Sequence, residues 1–119
     1  MADDLNYIEA RPWGTFENLL DEDYCKVKKL IVKSNQRLSY QYHHKRSEHW
    51  IIVQGSALVT LDDERRVLNP GDHIFIPIGS KHRIHNNTLE DLIFIEVQCG
   101  AYFGEDDIVR LSDDYKRCE

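Results

Sequence analysis

All six histidines of this 119-residue chain lie between His43 and His85, in two clusters. In the first, Gln41 and His43 are two residues apart, so on a strand both project from the same face, and Glu48 follows after a break of four residues. In the second, His82 comes just after the turn at Pro77–Gly79. Two imidazoles, one carboxylate and one amide oxygen converging from neighbouring strands make a site for a divalent transition metal with open positions. A barrel interior suits such a site, because alternate residues of every strand point inward. By the same parity His44 and His49 face away from Gln41, His43 and Glu48. They read, with His73 and His85, as surface or supporting residues.

The elements that must hold these residues are short strands. Cys25–Lys33 mixes alternation with β-branched residues. In 37–44, Leu38, Tyr40 and Tyr42 alternate with Ser39, Gln41 and His43. "HWIIVQG" and "SALVTLD" are two strands meeting at a turn around Gly55, and Asn69–Asp72 ("NPGD") is a turn signal. "HIFIPI", "HRIHN" and "DLIFIEVQ" continue the series. Turns every eight to twelve residues favour an all-β sandwich or barrel over alternating βα units. The one helix expected is short, near Glu105–Tyr115, with acidic residues at its start. The chain is read as a single domain over 1–119, with an N-terminal arm 1–25, a barrel 26–102 and a C-terminal tail 103–119.

Composition narrows the function classes. Fifteen Lys+Arg against 21 Asp+Glu give a net charge of −6, which argues against nucleic acid as a partner. Apolar runs such as Leu92–Ile95 are too short to span a membrane, and the acidic opening "MADDLNYIEA" lacks the apolar core of a secretory signal. The expectation is a cytoplasmic protein. Cys25, Cys99 and Cys118 are an odd number with no C-x-x-C spacing, so they read as reduced thiols. The charge is uneven along the chain. Residues 1–25 and 103–119 hold 13 acids and 4 bases, −9, while 26–102 hold 8 acids and 11 bases, +3. An anionic small molecule remains compatible with the middle of the chain.

The spacing of the site residues is more specific than their types. Gln41-x-His43-x4-Glu48-x6-Gly55 resembles the first cupin motif, with Gln in the place usually held by a His. Gly71-x5-Pro77-x-Gly79-x2-His82-x3-Asn86 fits the second. The resemblance implies an all-β, RmlC-like double-stranded β-helix, a jelly-roll barrel. Within cupins, the runs Arg11–Leu19, Leu38–Thr60, Ile76–Asn86 and Ile95–Arg117 are similar to type II mannose-6-phosphate isomerases. In that family this domain often forms the C-terminal part of a bifunctional isomerase and mannose-1-phosphate guanylyltransferase. Ser34-Asn35 replaces a usual Pro-Gly; Asn tolerates a left-handed backbone, so that turn is expected to survive. Lys116 stands where a Gly is common. No Gly-rich nucleotidyltransferase segment is present, so this chain alone is not expected to make GDP-mannose.

What the resemblance implies is a metal-dependent aldose–ketose isomerase interconverting mannose 6-phosphate and fructose 6-phosphate, with Gln41, His43, Glu48 and His82 holding a divalent ion. Zinc is foremost, with manganese, cobalt, iron or nickel as alternatives. Such an ion polarises substrate oxygens as a Lewis acid. The alternative is a non-catalytic sugar-phosphate-binding module, or a partner of a separate mannose-1-phosphate guanylyltransferase. Lys45, Arg46, Lys81 and Arg83 are the cations available for the phosphate, and Arg suits that task best. Arg46 is the leading catalytic residue. Glu105, Asp106 or His49 are candidates for the base, and Arg110 pairs with the acidic run or reaches the site. The arm "RPWGTFENLL" either adds a strand to a second subunit, making a homodimer, or closes its own barrel.

Overall fold

The computed structural model describes residues 7–115. The acidic opening residues 1–6 and the tail 116–119, with Lys116 and Cys118, lie outside the described residues. Eleven strands follow in order: β1 Ile8–Arg11, β2 Gly14–Asp21, β3 Cys25–Val32, β4 Tyr40–His43, β5 Arg46–Gln54, β6 Ala57–Leu61, β7 Glu64–Leu68, β8 His73–Ile76, β9 His82–His85, β10 Leu92–Gly100 and β11 Ile108–Ser112. They form two sheets, one ordered β1-β2-β3-β10-β5-β8 and the other β11-β4-β9-β6-β7. Every pairing between these strands is antiparallel. This is the double-sheet β architecture expected from the turn spacing.

Alternation sets which side chains face between the sheets. Leu30 and Val32 of β3, Trp50 and Ile52 of β5, Val59 of β6, Ile84 of β9 and Leu92 and Phe94 of β10 are buried in one core. Trp13 and Phe16 join it, so the early arm pairs through β2 with its own β3 and packs on its own core. The expected helix near Glu105–Tyr115 is replaced by a single 3-10 turn, Glu105–Asp107, after which β11 pairs with β4. The acidic start of that run does different work: the Asp107 carboxylate accepts hydrogen bonds from the backbone N–H groups of His44 (3.1 Å) and Lys45 (2.9 Å). It thereby ties the turn to the corner from which β5 begins. Strand β7 adds to the expected series, its hairpin with β6 turning at Asp62-Asp63, at φ 48° and 71°. That is the two-residue loop geometry usually supplied by Asn-Gly or Asp-Gly.

Several expected turns keep their chemistry. Asn35 adopts φ 62°, so the replacement of Pro-Gly preserves a left-handed turn. Gly79 sits at φ 83° and donates its N–H to the His43 carbonyl at 2.9 Å, fastening the loop that leads into His82 to the strand bearing His43. The last residue of the second motif, Asn86, is fully buried. Its Nδ2 donates to the Val32 and Glu90 carbonyls at 2.8 and 2.7 Å, and its Oδ1 accepts from Thr88 N and Oγ1 at 3.0 and 2.7 Å. Replacing it removes four hydrogen bonds and leaves the Val32 carbonyl without its side-chain donor. Asn86→Ala is therefore expected to destabilise the fold by about 2–4 kcal/mol, read from urea unfolding. A loss below about 1 kcal/mol would show that these bonds are replaced by water.

Candidate functional site

The polar site is a consequence of register. Along β3 the inward residues run Val32, Leu30, Lys28, Lys26; along β10 they run Leu92, Phe94, Glu96, Gln98; along β5 they run Ile52, Trp50, Glu48, Arg46. Pairing aligns these changes: Leu92 lies opposite Val32, Phe94 opposite Leu30, Glu96 opposite Lys28 and Trp50, and Gln98 opposite Lys26 and Glu48. The interior is thus apolar at one end and charged at the other. From the second sheet, Gln41 of β4 lies opposite His82 of β9, bringing the two histidine clusters side by side.

Glu48 is the centre of the charged end. Its Oε1 accepts from Trp50 Nε1 at 2.9 Å, its Oε2 accepts from Arg46 Nε at 2.9 Å, and His43 Nε2 lies 3.1 Å from the same Oε2. His82 Nε2 stands 4.0 Å from Oε1. His43, Glu48 and His82 are each at most 2% exposed, which makes an uncompensated carboxylate prohibitive here. Burial alone would raise the Glu48 pKa, but the His43 hydrogen bond and the charges of Arg46, His82 and His43 outweigh it and hold the carboxyl well below its usual range. Arg46 shows the mirror image. Burial opposes its charge, while Glu48, Glu96 and Glu105 together hold its pKa above the ordinary value.

One donor atom of each of His43, Glu48 and His82 lies within 4.8 Å of the others, so the three can hold a metal ion. The hydrogen bonds of His82 test that fit. Its Nδ1 is 3.0 Å from the Ser80 carbonyl, which fixes the proton on that nitrogen. Its Nε2, buried and without a hydrogen-bond partner, then presents a lone pair toward Glu48. Burial first, with His43 and Arg46, pushes the His82 pKa down and so favours the neutral, ligating form. A proton between His43 and Glu48 and a divalent ion are competing occupants of the same gap. Gln41 accepts a hydrogen bond from Ser39 Oγ at 3.3 Å and lines the cavity beside Glu48, as an amide-oxygen ligand must.

That cavity has a volume of about 60 Å³. Arg46, Glu105 and Arg110 all reach it. Glu105, half-exposed, lies 3.7 Å from Arg46 and 3.5 Å from Lys28. Despite partial burial, those two cations and Lys26 hold its carboxyl below the usual value. Arg110 lies opposite Gln41, with a buried Nε lacking a hydrogen-bond partner. The other cations are not brought here. Lys45 is exposed over the Tyr102 ring, Lys81 pairs with Asp63 at 3.8 Å, and Arg83 lies on the outer face, donating to Leu38 O. Strand parity accounts for Arg83, which neighbours the inward His82 and so points outward, whereas Lys45 lies in the bend between β4 and β5. Of the remaining base candidates, His49 is exposed and stacks near Phe75, and Asp106 accepts from Tyr102 Oη. His44 and His73 are exposed.

Three charged cavity residues, Glu96, Lys28 and Arg11, lie outside the expectations from sequence. Glu96 is buried and accepts from Gln98 Nε2; burial and the nearby Glu48 push its pKa to about 8, so it keeps its proton at neutral pH. Lys28, also buried, stands over the Phe16 ring at 4.3 Å. The available signal was parity: Lys28 is in phase with Leu30 and Val32, and Glu96 with Leu92 and Phe94.

Among the described residues no helix is long and apolar enough to cross a membrane. Similarity to known proteins then fixes the lineage. The chain is 44% identical over 106 residues to mannose-1-phosphate guanylyltransferase 2 of Escherichia coli O157:H7, covering 89% of this chain and 22% of that protein. It is 48% identical over 113 residues to the alginate biosynthesis protein AlgA of Pseudomonas aeruginosa, covering 94% and 24%. It is 46% identical over 107 residues to the xanthan biosynthesis protein XanB of Xanthomonas campestris, covering 90% and 23%. The chain thus spans about a quarter or less of the curated relatives it matches. In structure it resembles the capsular polysaccharide assembling protein CapF of Staphylococcus aureus (TM-score 0.78, 21% identity, 89% of this chain and 34% of that one). An RmlC-like cupin from Shewanella frigidimarina gives a TM-score of 0.73 at 24% identity, covering 85% and 87%. These likenesses show the cupin fold.

The relatives correct the expected enzyme class. They are named for guanylyltransfer and for alginate or xanthan biosynthesis, not for isomerisation, so the reading of this chain as an aldose–ketose isomerase is overturned. The physical reason is that the motifs describe a cupin pocket, and one pocket serves many chemistries. What the similarity supports is a cupin domain of these guanylyltransferase relatives. Residues 4–113 match the family described as mannose-6-phosphate isomerase C-terminal, and the chain belongs to that family.

Proposed function

We propose that this chain is a metal-holding cupin module that binds a small phosphorylated sugar and serves mannose-1-phosphate guanylyltransferase. The observation that carries the reading is the unpartnered, buried His82 Nε2 facing Glu48, beside His43 and with Gln41 lining the same cavity. Zinc suits two imidazoles with carboxylate and amide oxygens, and manganese, cobalt, iron and nickel are alternatives set by availability. When bound, such an ion supplies a Lewis-acidic contact for a hydroxyl or carbonyl oxygen. The cavity itself is too small for a whole sugar phosphate, so the sugar's reach inward would be limited to its polar end. Arg11, Glu105 and Arg110, all more exposed than Glu48, form the mouth where the rest would lie. Arg110 offers a guanidinium for the phosphate, and Glu105 a carboxylate for sugar hydroxyls.

Two measurements test the module. Purified protein loaded with zinc is expected to hold about one ion per chain by elemental analysis, and His82→Ala to hold near none, because one of three strong donors is gone. Full zinc retention by His82→Ala would rule out the ligand set. Titration with mannose 6-phosphate and mannose 1-phosphate is expected to show saturable binding, weakened about tenfold or more by Arg110→Ala through loss of one charge-assisted contact. Turnover of mannose 6-phosphate to fructose 6-phosphate, followed in a coupled assay, would overturn the binding-module reading.

A further inference from the structure

The outer face of the five-stranded sheet carries a second concave site, away from the metal cavity. Register builds it from two adjacent rows. In one, Arg83 of β9, Thr60 of β6 and Arg65 of β7 lie side by side. In the next, Arg37 bridges to His85, which lies opposite Leu58. His85 and Arg83 are two apart on β9, so both point away from the core that buries His82 and Ile84. Together with Tyr40 and Asp63 these residues line a cleft of about 370 Å³, within the range of small-molecule sites.

The charges in this cleft do not balance. Arg37 is neutralised, its Nε and Nη2 donating to Asp114 at 2.7 and 2.8 Å. Asp63 is engaged by Lys81 and by Tyr40 Oη. Arg83 is held in place by neutral acceptors only: Nε donates to Leu38 O at 2.9 Å and Nη2 to Ser112 O at 3.1 Å. Its orientation is therefore fixed while, among the described residues, it forms no ion pair, the Asp114 and Asp113 charges acting on it only from farther off. Arg65, across Thr60 from it, makes no ion pair among the described residues. The surplus is felt locally: burial, then Arg37 and Arg83, push the His85 imidazole below its usual pKa despite the opposing charge of Asp114. A guanidinium pre-set by backbone acceptors, a second one free to close, an imidazole and the Thr60 hydroxyl are donors suited to phosphate oxygens, while the Tyr40 hydroxyl is already given to Asp63.

We infer that this outer cleft, formed by Arg83, Arg65, His85 and Thr60, binds the phosphate group of a small phosphorylated molecule carrying two or more negative charges. The site is separate from the metal cavity, and the inference does not depend on what that cavity does. The full chain is titrated with inorganic pyrophosphate, mannose 1-phosphate and GDP while the His85 imidazole resonances are followed by NMR, which reports on this cleft alone. At least one probe is expected to shift them saturably and to move the His85 titration midpoint upward, as the anion offsets the arginine charges. Preference among the three distinguishes a bare diphosphate, a sugar phosphate and a nucleotide as the source of the phosphate. Arg65→Ala, at an exposed position, is expected to weaken binding about tenfold or more, whereas Arg66→Ala, which points to the other side of β7, leaves it unchanged. No saturable shift at His85 with any of the three up to about 10 mM, a concentration that would reveal even weak binding, would overturn the inference. A shift that Arg65→Ala leaves unaltered would do the same. If the surplus charge instead meets an acidic protein surface, all three probes fail.

Discussion

A single buried carboxylate organises this molecule. Glu48 sits in the middle of the interior with a tryptophan N–H, a guanidinium and two imidazoles directed at it. Removing a carboxylate from water costs several kcal/mol even after the protein relaxes, so such a charge persists only when its lone pairs are used. Each partner is in turn committed: Arg46 reaches on to Glu105 and to the Phe103 carbonyl, and His82 is pinned by Ser80. The polar end of the barrel is therefore held as one network. Loss of one member exposes the others to the cost of being buried unpaired.

That network explains why two further acidic groups coexist beside Glu48. Three carboxylates share this cavity with Arg46 and Lys28. They do not all ionise alike. Glu48 holds its charge because Arg46 and the histidines surround it, and Glu105 holds its charge at the mouth through Lys28 and Arg46. Glu96, buried and next to an existing negative charge, keeps its proton instead. Environments that push paired carboxyls apart in this way are how one cavity offers both an acceptor and a donor at neutral pH.

Much of this was legible in the sequence because strands have a period of two. Gln41 and His43 share a face on any strand, and the spacings to Glu48, Gly55 and from Gly79 to His82 place the histidine clusters against each other. The turn at Asn35 and the bend at Gly79 could be read from the backbone freedom those residues have. Other features needed tertiary information. Glu96 is hidden in "LIFIEVQ", where apolar residues on both faces blur the alternation. Arg83 follows His82 in sequence, and neighbours on a strand face opposite ways, while Lys81 lies just before β9 begins. The acidic run at Glu105 resembles a helix start, but Asp107 is used to cap the backbone of His44 and Lys45, so the chain continues as a strand.

The same parity rule gives the two sheet faces different electrostatic characters. The basic surplus of residues 26–102 is not spread evenly. Lys28 and Arg46 are buried inward against acids that match them, whereas Arg83 and Arg65 point outward and make no ion pair among the described residues. A guanidinium oriented by backbone carbonyls has already lost much of its rotational freedom, which lowers the cost of meeting an anion. Along β9, then, one strand serves two surfaces: His82 completes the interior network, and Arg83 and His85, one and three residues on, set the charge of the exterior cleft. A change in the pitch of that strand would disturb both at once, so the Gly79 bend that feeds it is a constraint on the outer face as much as on the inner one.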